Sequence, residues 1–359
     1  MKEHLATRRR RRALYVPSLA VAAALVLVGC SGGGGSAAAP SAGATTDPAN
    51  GKVSIMVGGL NKQIYLPFKL AEALGYYKEQ GLDVTLSDEP AGVDATEDMM
   101  AGKVDGVGGF YDHTIDLAGL GQQVESVVNM LVTPGEVELC RSDLKDKIKS
   151  PADFKGLNLG ITDVGSSTDF LTQFLTKKAG VDPTTTHRIG VQSGATLIGA
   201  LNHKNVDCAM TTEPTVSTAL AGGNVFILLD MRSPEGTAAA LGGTYPATSL
   251  YMTTAFVTKN PITVQKLVNA YVKTLKYIHD NDGATVVTKI PADYYAGSGK
   301  DAWVKAFDSE KGIYNPTGVM PPNGPPTNLS VLSLFNKDVQ GKTIDLTKTY
   351  TDTFVKAAS

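Results

Sequence analysis

Cysteine, tryptophan and charge are all scarce in this chain. Three Cys and one Trp occur among 359 residues, and 19% of the positions are charged. Three cysteines cannot build a dense disulfide scaffold, and so little charge beside 42% apolar residues excludes a solvated, disordered polymer. The length suits two cores better than one. An excess of positive charge is missing as well. The formal net charge is −2, and the first thirty residues hold six basic groups against one acid. Without them 27 basic and 34 acidic residues remain, so the body has no general attraction for phosphate backbones, and nucleic acid is not an expected partner.

Lys2 and Arg8 to Arg12 precede an apolar run over residues 13–28 that only Pro17 and Ser18 interrupt. At about 16 residues it is short for a bilayer span, and a positive stretch in front is how an export signal is oriented. The run closes with Leu27-Val28-Gly29-Cys30, which resembles a bacterial lipobox. Residues 1–30 therefore read as a lipoprotein signal peptide, with Cys30 lipidated and becoming the mature N-terminus. Two or three acyl chains hold a protein durably to a membrane where one is marginal. The expected location is the extracytoplasmic face of a bacterial membrane, with the export route left open. Residues 31–51 are Gly, Ser, Ala, Pro and Thr with almost nothing bulky, a flexible tether.

From residue 52 onward, short β-type runs alternate with helical periodicity. Strands are expected at 53–57, 82–86, 104–107, 125–131 and 137–140, with helices between them at 66–77, 95–101 and 114–120. A second cycle follows: strands at 157–161, 188–191, 206–210 and 225–229, and helices at 166–179, 195–202 and 216–220. The remainder is mostly helical. Such alternation argues parallel sheets covered by helices, and its repetition argues two α/β units with a cleft between them. Open parallel sheets bind ligands beyond the carboxyl ends of their strands. Several of those ends are polar or glycine-rich: Gly58-Gly59-Leu60-Asn61, Gly108-Gly109-Phe110-Tyr111-Asp112-His113, Gly165-Ser166-Ser167-Thr168, Gln192-Ser193-Gly194 and Thr211-Thr212-Glu213-Pro214.

Tyr65-Leu66-Pro67, followed by Gly75-Tyr76-Tyr77-Lys78-Glu79-Gln80-Gly81-Leu82-Asp83-Val84, resembles the opening of nitrate/taurine-type substrate-binding proteins of ABC importers. Ala101-Gly102-Lys103-Val104-Asp105, Asp153-Phe154-Lys155-Gly156, Lys204-Asn205-Val206-Asp207 and Glu213-Pro214 continue the pattern in order, and the resemblance covers residues 52–359. It implies a type II periplasmic-binding-protein fold, two α/β lobes joined by crossover strands around a ligand cleft. Lobe 1 is then 52–140 plus 251–359 and lobe 2 is 141–250. It further implies a monomer without cofactor or metal, which closes on a small polar solute and presents it to a permease with its ATPase. Sulfonates and amino sulfonates are the first expectation, and a neutral heterocycle such as a thiamine pyrimidine precursor is the alternative.

In that fold Gly165, Ser166, Ser167 and Thr168 open a helix whose free amides, hydroxyls and positive dipole end would receive an anionic or strongly polar group. Ordinary N-capping accounts for the same residues. Tyr65 and Tyr111 offer rings and hydroxyls, while Asn61, Asp112, Thr212 and Glu213 complete the candidate ligand-binding set. Two acids in the cleft would repel a bare anion such as nitrate. A zwitterion, or an aminated heterocycle stacked on Tyr111, avoids that conflict. Arg141, Arg188 and Arg232 are scattered and make no evident clamp. In the implied fold Cys140 and Cys208 lie on neighbouring strands, close enough for a disulfide in an oxidising compartment, and two buried free thiols are the other reading. A related eukaryotic family makes a pyrimidine on the same fold. However, no metal-ligand spacing, phosphate loop or nucleophile elbow occurs, so no catalytic residue is expected.

Overall fold

The computed structural model describes residues 47–358. The expected signal peptide, Cys30 and the tether as far as residue 46 lie outside the described residues. Residues 47–51, assigned to the tether by composition, are fixed to a helix instead. Asp47 accepts hydrogen bonds from the Thr263 amide and hydroxyl at 2.7 Å each, and the Ala49 amide donates to Asn260 Oδ1 at 2.8 Å. These bonds serve the first turn of the helix Pro261–Asp280, where free amides need acceptors. Burial opposes the Asp47 carboxylate, yet bonds from Thr263 and Asn50 hold its pKa below the ordinary value.

Among the described residues ten strands form two five-stranded sheets. The first contains β1 (Lys52–Val57), β2 (Asp83–Asp88), β3 (Gly106–Phe110), β4 (Val124–Asn129) and β10 (Thr248–Thr253), in the order β2-β1-β3-β10-β4. The second contains β5 (Val137–Arg141), β6 (Asn158–Ile161), β7 (His187–Gly190), β8 (Cys208–Thr211) and β9 (Val225–Asp230), in the order β7-β6-β8-β5-β9. The first three strands of each unit run parallel, and the inserted strand, β10 or β5, is antiparallel to both neighbours. Each sheet is thus completed by a strand entering from the other half of the chain.

β5 was read as the end of the first lobe (52–140), but all its ladder partners lie in the second sheet. Likewise β10 begins at Thr248, ahead of the expected return at 251. Strand patterning marks a residue as belonging to a sheet without saying which sheet. The crossings run through residues 130–136 and 242–247 and lie side by side. Met130 and Leu131 donate their amides to Thr248 O, and Ala247 donates to Leu131 O.

The helices used below are α1 (Leu66–Ala73), α2 (Gly92–Met100), α3 (Asp112–Gly119), α4 (Ser167–Lys178), α5 (Ala195–Asn202), α6 (Thr215–Ala221), α7 (Pro261–Asp280), α8 (Lys300–Glu310) and α9 (Gly324–Ser333). On β1 the alternate residues Val53, Ile55 and Val57 turn inward, joining Leu66 and Leu70 of α1 and Leu267, Tyr271 and Leu275 of α7 in one core. Each such side chain contributes about 1.5–3 kcal/mol of burial. A separate core of Val137, Leu139, Leu197, Val206 and Val216 sits under α5 and α6 in the second lobe. α1 can lie this close to β3 because residue 108 is glycine, where a β-carbon would stand 2.6 Å from the Phe68 ring.

Candidate functional site

A cleft of about 610 Å3 opens between the lobes, lined by Asn61 and Lys62 after β1, Gln192 and Ser193 after β7, Pro214 after β8, and Tyr294 from the C-terminal part. Three of the polar strand ends singled out in the sequence therefore meet at one cleft. A second cleft, of about 560 Å3, is lined by Gly165, Asp169, Arg188 and Asn336 among others. Asp169 there is bonded to Arg188, to the Gly165 amide and to Gln173.

Behind the clefts, side chains of the two lobes touch directly. The Ser166 hydroxyl caps α4 and bonds within its own turn to Thr162 and Thr168, while Thr168 Oγ1 also accepts from the Thr162 amide. Ser167 reaches across the seam, donating to Asp112 Oδ1 at 2.8 Å, and its oxygen lies 3.3 Å from His113 Nε2. The second Asp112 oxygen accepts from the Tyr245 hydroxyl at 2.8 Å. Burial and the adjacent Asp112 push the Tyr245 phenol well above its usual pKa, so it stays a donor. The helix end read as an anion cradle thus has a protein carboxylate in front of it.

A second seam lies around Glu213. Its carboxylate accepts from Arg232 at 2.7 Å and from both the amide and hydroxyl of Ser217, and Thr212 Oγ1 donates to its backbone oxygen. That same carbonyl oxygen accepts from the Gln63 amide of the first lobe at 3.0 Å. Gln63 Nε2 donates to Trp303 O, and the Tyr314 hydroxyl donates to Gln63 O. Nearby stand Glu136, Glu138 and Glu310, each at most 3% exposed. Both carboxyl oxygens of Glu138 and Glu310, and Oε2 of Glu136, have no hydrogen-bond partner among the described residues. Burial raises all three pKa values. Glu136 rises to about 8 with Lys62 opposing, and Glu310 well above the ordinary value through burial and the Glu213 carboxylate. Lys62, whose ammonium donates to Gly58 O and Pro90 O, is lowered to about 8 by burial, with Glu136 and Asp88 opposing.

The other candidates have varied surroundings. Asn61 is exposed at the cleft mouth. Tyr65 is buried against Phe68 and Phe110 with Lys62 Nζ 6.0 Å from its ring. Tyr111 faces the C-terminal tail, its hydroxyl on Thr349 and its ring edge-on to Tyr350, so it packs with α9 and its neighbours. Arg141 is tied to Asp207 and Asp143, away from the clefts. Cys140 and Cys208 face each other across β5 and β8 and are joined by a disulfide. Glu138 is their neighbour, and with both sulfurs bonded to each other it is left without thiolates to complete a metal set. The sequence reading missed Glu136, Glu138 and Glu310. A lone acid inside the apolar strand Val-Glu-Leu-Cys, and an acid seven residues after Trp303 on the same helix face, were the available signals.

A family model described as NMT1/THI5 like matches residues 63–284. A solved protein from Bordetella bronchiseptica RB50 is 32% identical with a TM-score of 0.82, covering 86% of this chain and 96% of that one. The alkanesulfonate-binding protein SsuA of Xanthomonas axonopodis pv. citri, solved with MOPS, superposes at TM-score 0.65 and 16% identity, over 86% of this chain and all of its own. The nitrate-binding protein NrtA of Synechocystis PCC 6803 gives 0.68 and 14%, over 87% and 89%. A curated relative, 4-amino-5-hydroxymethyl-2-methylpyrimidine phosphate synthase THI13 of Saccharomyces cerevisiae, is 28% identical over 234 residues, 63% of this chain and 67% of that protein. The shared architecture is the periplasmic-binding-protein fold.

Proposed function

The chain belongs to the NMT1/THI5-like family, and from that premise we propose that it is the substrate-binding component of an ABC-type importer. It captures one small polar organic solute between its lobes and hands it, unaltered, to a permease driven by an ATPase. The chain acts as a monomer outside the cytoplasm, lipid-anchored through Cys30. The observation that carries the reading is the pair of inter-lobe hydrogen bonds, Ser167 to Asp112 and the Gln63 amide to Glu213 O. Each joins groups held by different lobes, so both form only on closure, and a solute that contacts both lobes shifts the equilibrium toward that state.

Among solutes, a bare anion fits poorly, because each nearby Arg is already paired with a carboxylate and none is free to receive it. An amino sulfonate or similar zwitterion fits better. The candidate contacts are Asn61, Tyr65, Thr212 and Glu213, with Gly165, Ser166, Ser167, Thr168, Asp112 and Tyr111 framing closure. A second reading, an aminated heterocycle such as a thiamine pyrimidine precursor, is favoured by the 28% identity to the yeast synthases. The test is thermal shift of the purified chain with taurine, ethanesulfonate, nitrate and 4-amino-5-hydroxymethyl-2-methylpyrimidine, followed by mass spectrometry of the recovered compound. A ligand that binds only the native state raises the melting point by mass action. Conversion of the bound compound, or no shift with any of them, overturns the reading.

A further inference from the structure

The buried acceptors of the second seam point to the part of the solute that has to reach them. Glu136 follows Gly135, where an added β-carbon would lie 2.8 Å from Ile64 and 3.2 Å from Ile313. Residues 63–64, 135–136 and 310–314 are therefore packed together, and the bonds of Gln63 to Trp303 O and of Tyr314 to Gln63 O stitch them. Within this group Gln63 Oε1, Thr133 Oγ1, Glu136 Oε2 and both Glu310 oxygens lack a partner among the described residues, and Gln63 and Thr133 are at most 1% exposed. The available cations are committed: Arg232 to Glu213 and Asp230, Lys62 to Gly58 O and Pro90 O. The open cleft reaches the edge of this group. Tyr294 lines the cleft, donates to Lys62 O at 3.2 Å and packs edge-on against Trp303, and Pro214 lines it next to Glu213.

We propose that the solute carries a compact organic cation with N–H donors, an ammonium or amidinium group, seated against Glu310 and Glu136, with Gln63 Oε1 and Thr133 Oγ1 accepting its remaining hydrogens. The proposal rests on the solute-binding reading and adds the charge and the seat of one end of the ligand. Unpaired buried acceptors cost stability, and a donor-bearing cation satisfies several at once. The groups around this seat include Glu213, Asp230, Arg232 and Tyr314 at Glu310, and Lys62, Asp112 and Tyr65 at Glu136, with Glu138 beside Glu136 and Asp88 beside Lys62. Burial favours the neutral form of both carboxyls and a cation beside them favours the ionised form, so binding releases protons.

The purified full chain is titrated with benzamidine and butylammonium, and separately with ethanesulfonate and nitrate, by thermal shift and by calorimetry at pH 6, 7 and 8 in two buffers of different ionisation heat. The cations should raise the melting point, release protons and bind about tenfold more tightly per pH unit for each proton released. Glu310→Gln should weaken cation binding about tenfold or more while leaving the unliganded melting point in place. If Glu310→Gln unfolds, Glu136→Gln is held to the same tenfold loss. Stabilisation by ethanesulfonate or nitrate and not by the cations overturns the cation seat and leaves the importer reading standing. Cation binding that survives Glu310→Gln, or Glu136→Gln where the first variant unfolds, overturns it too. No response to any probe, including the aminated pyrimidine and taurine, overturns both.

Discussion

The two inter-lobe seams hold the same chemical group in opposite states. At Asp112 both oxygens of a fully buried carboxylate are bonded, one by Ser167 of the second lobe and one by Tyr245 of the crossover. At Glu310 and Glu136, equally deep, the oxygens find no such donors. The first seam is complete in itself, its acceptor oxygens both met by protein donors. The second is shut with its acceptors unsatisfied, the feature on which the proposed cation seat rests. Burial by itself therefore does not separate these two kinds of acid; the hydrogen-bond count does.

The contrast breaks most visibly on removing one carboxyl from each seam. Asp112→Ala leaves the Tyr245 and Ser167 hydroxyls buried without their acceptor and should cost about 3 kcal/mol in urea or thermal unfolding. Glu310→Gln removes no protein bond and should cost less than about 1 kcal/mol, or stabilise. Equal losses would erase the distinction. The second seam also responds to pH. The folded pKa of Glu136, Glu138 and Glu310 lies above the unfolded one, so between those values the folded state holds more protons. Each contribution is then fully present below the unfolded pKa and falls as pH rises above it, for Glu136 until about 8, by at most about 1.4 kcal/mol per unit for each group. Unfolding free energies from pH 5 to 8 should show that decline, and Glu310→Gln should flatten it. A slope that the substitution leaves unchanged would assign the decline to other groups.

The part of this arrangement that the sequence carries plainly is the part written in local periodicity. The alternation of runs such as Val53 to Val57 with helices such as 195–202 marks two α/β units, and the strand ends at 58–61, glycine-rich, and 192–194, polar, mark where they face each other. What stays hidden depends on partners far along the chain. Tyr111 looks like a cleft ring beside its Gly-Gly turn, but Thr349 and Tyr350 claim it, and nothing near residue 111 announces a tail 238 positions away. The helix Pro234–Leu241 is rich in Ala, Gly and Thr and lacks an apolar stripe to read. Asp47 sits in a stretch with tether composition and is ordered by Thr263. Glu136 and Glu310 are buried where a crossover meets the end of α8, an event that hydropathy along either segment does not encode.

The finest test of the difference between the seams is Ser167→Ala. It deletes one inter-lobe bond while Tyr245 keeps its hold on Asp112, so the lost stability should be only about 1 kcal/mol. The bond exists only when the lobes are closed, so the loss falls on the closed state and moves the open–closed equilibrium by about fivefold. Affinity for whichever compound the chain binds should weaken by that factor through a rise in dissociation rate, and small-angle scattering of the unliganded chain should show a larger radius of gyration. A variant that loses affinity a hundredfold with unchanged dimensions would mean that the Ser167 hydroxyl touches the ligand itself. The completed seam would then be a binding surface, and the division between the two regions would fall.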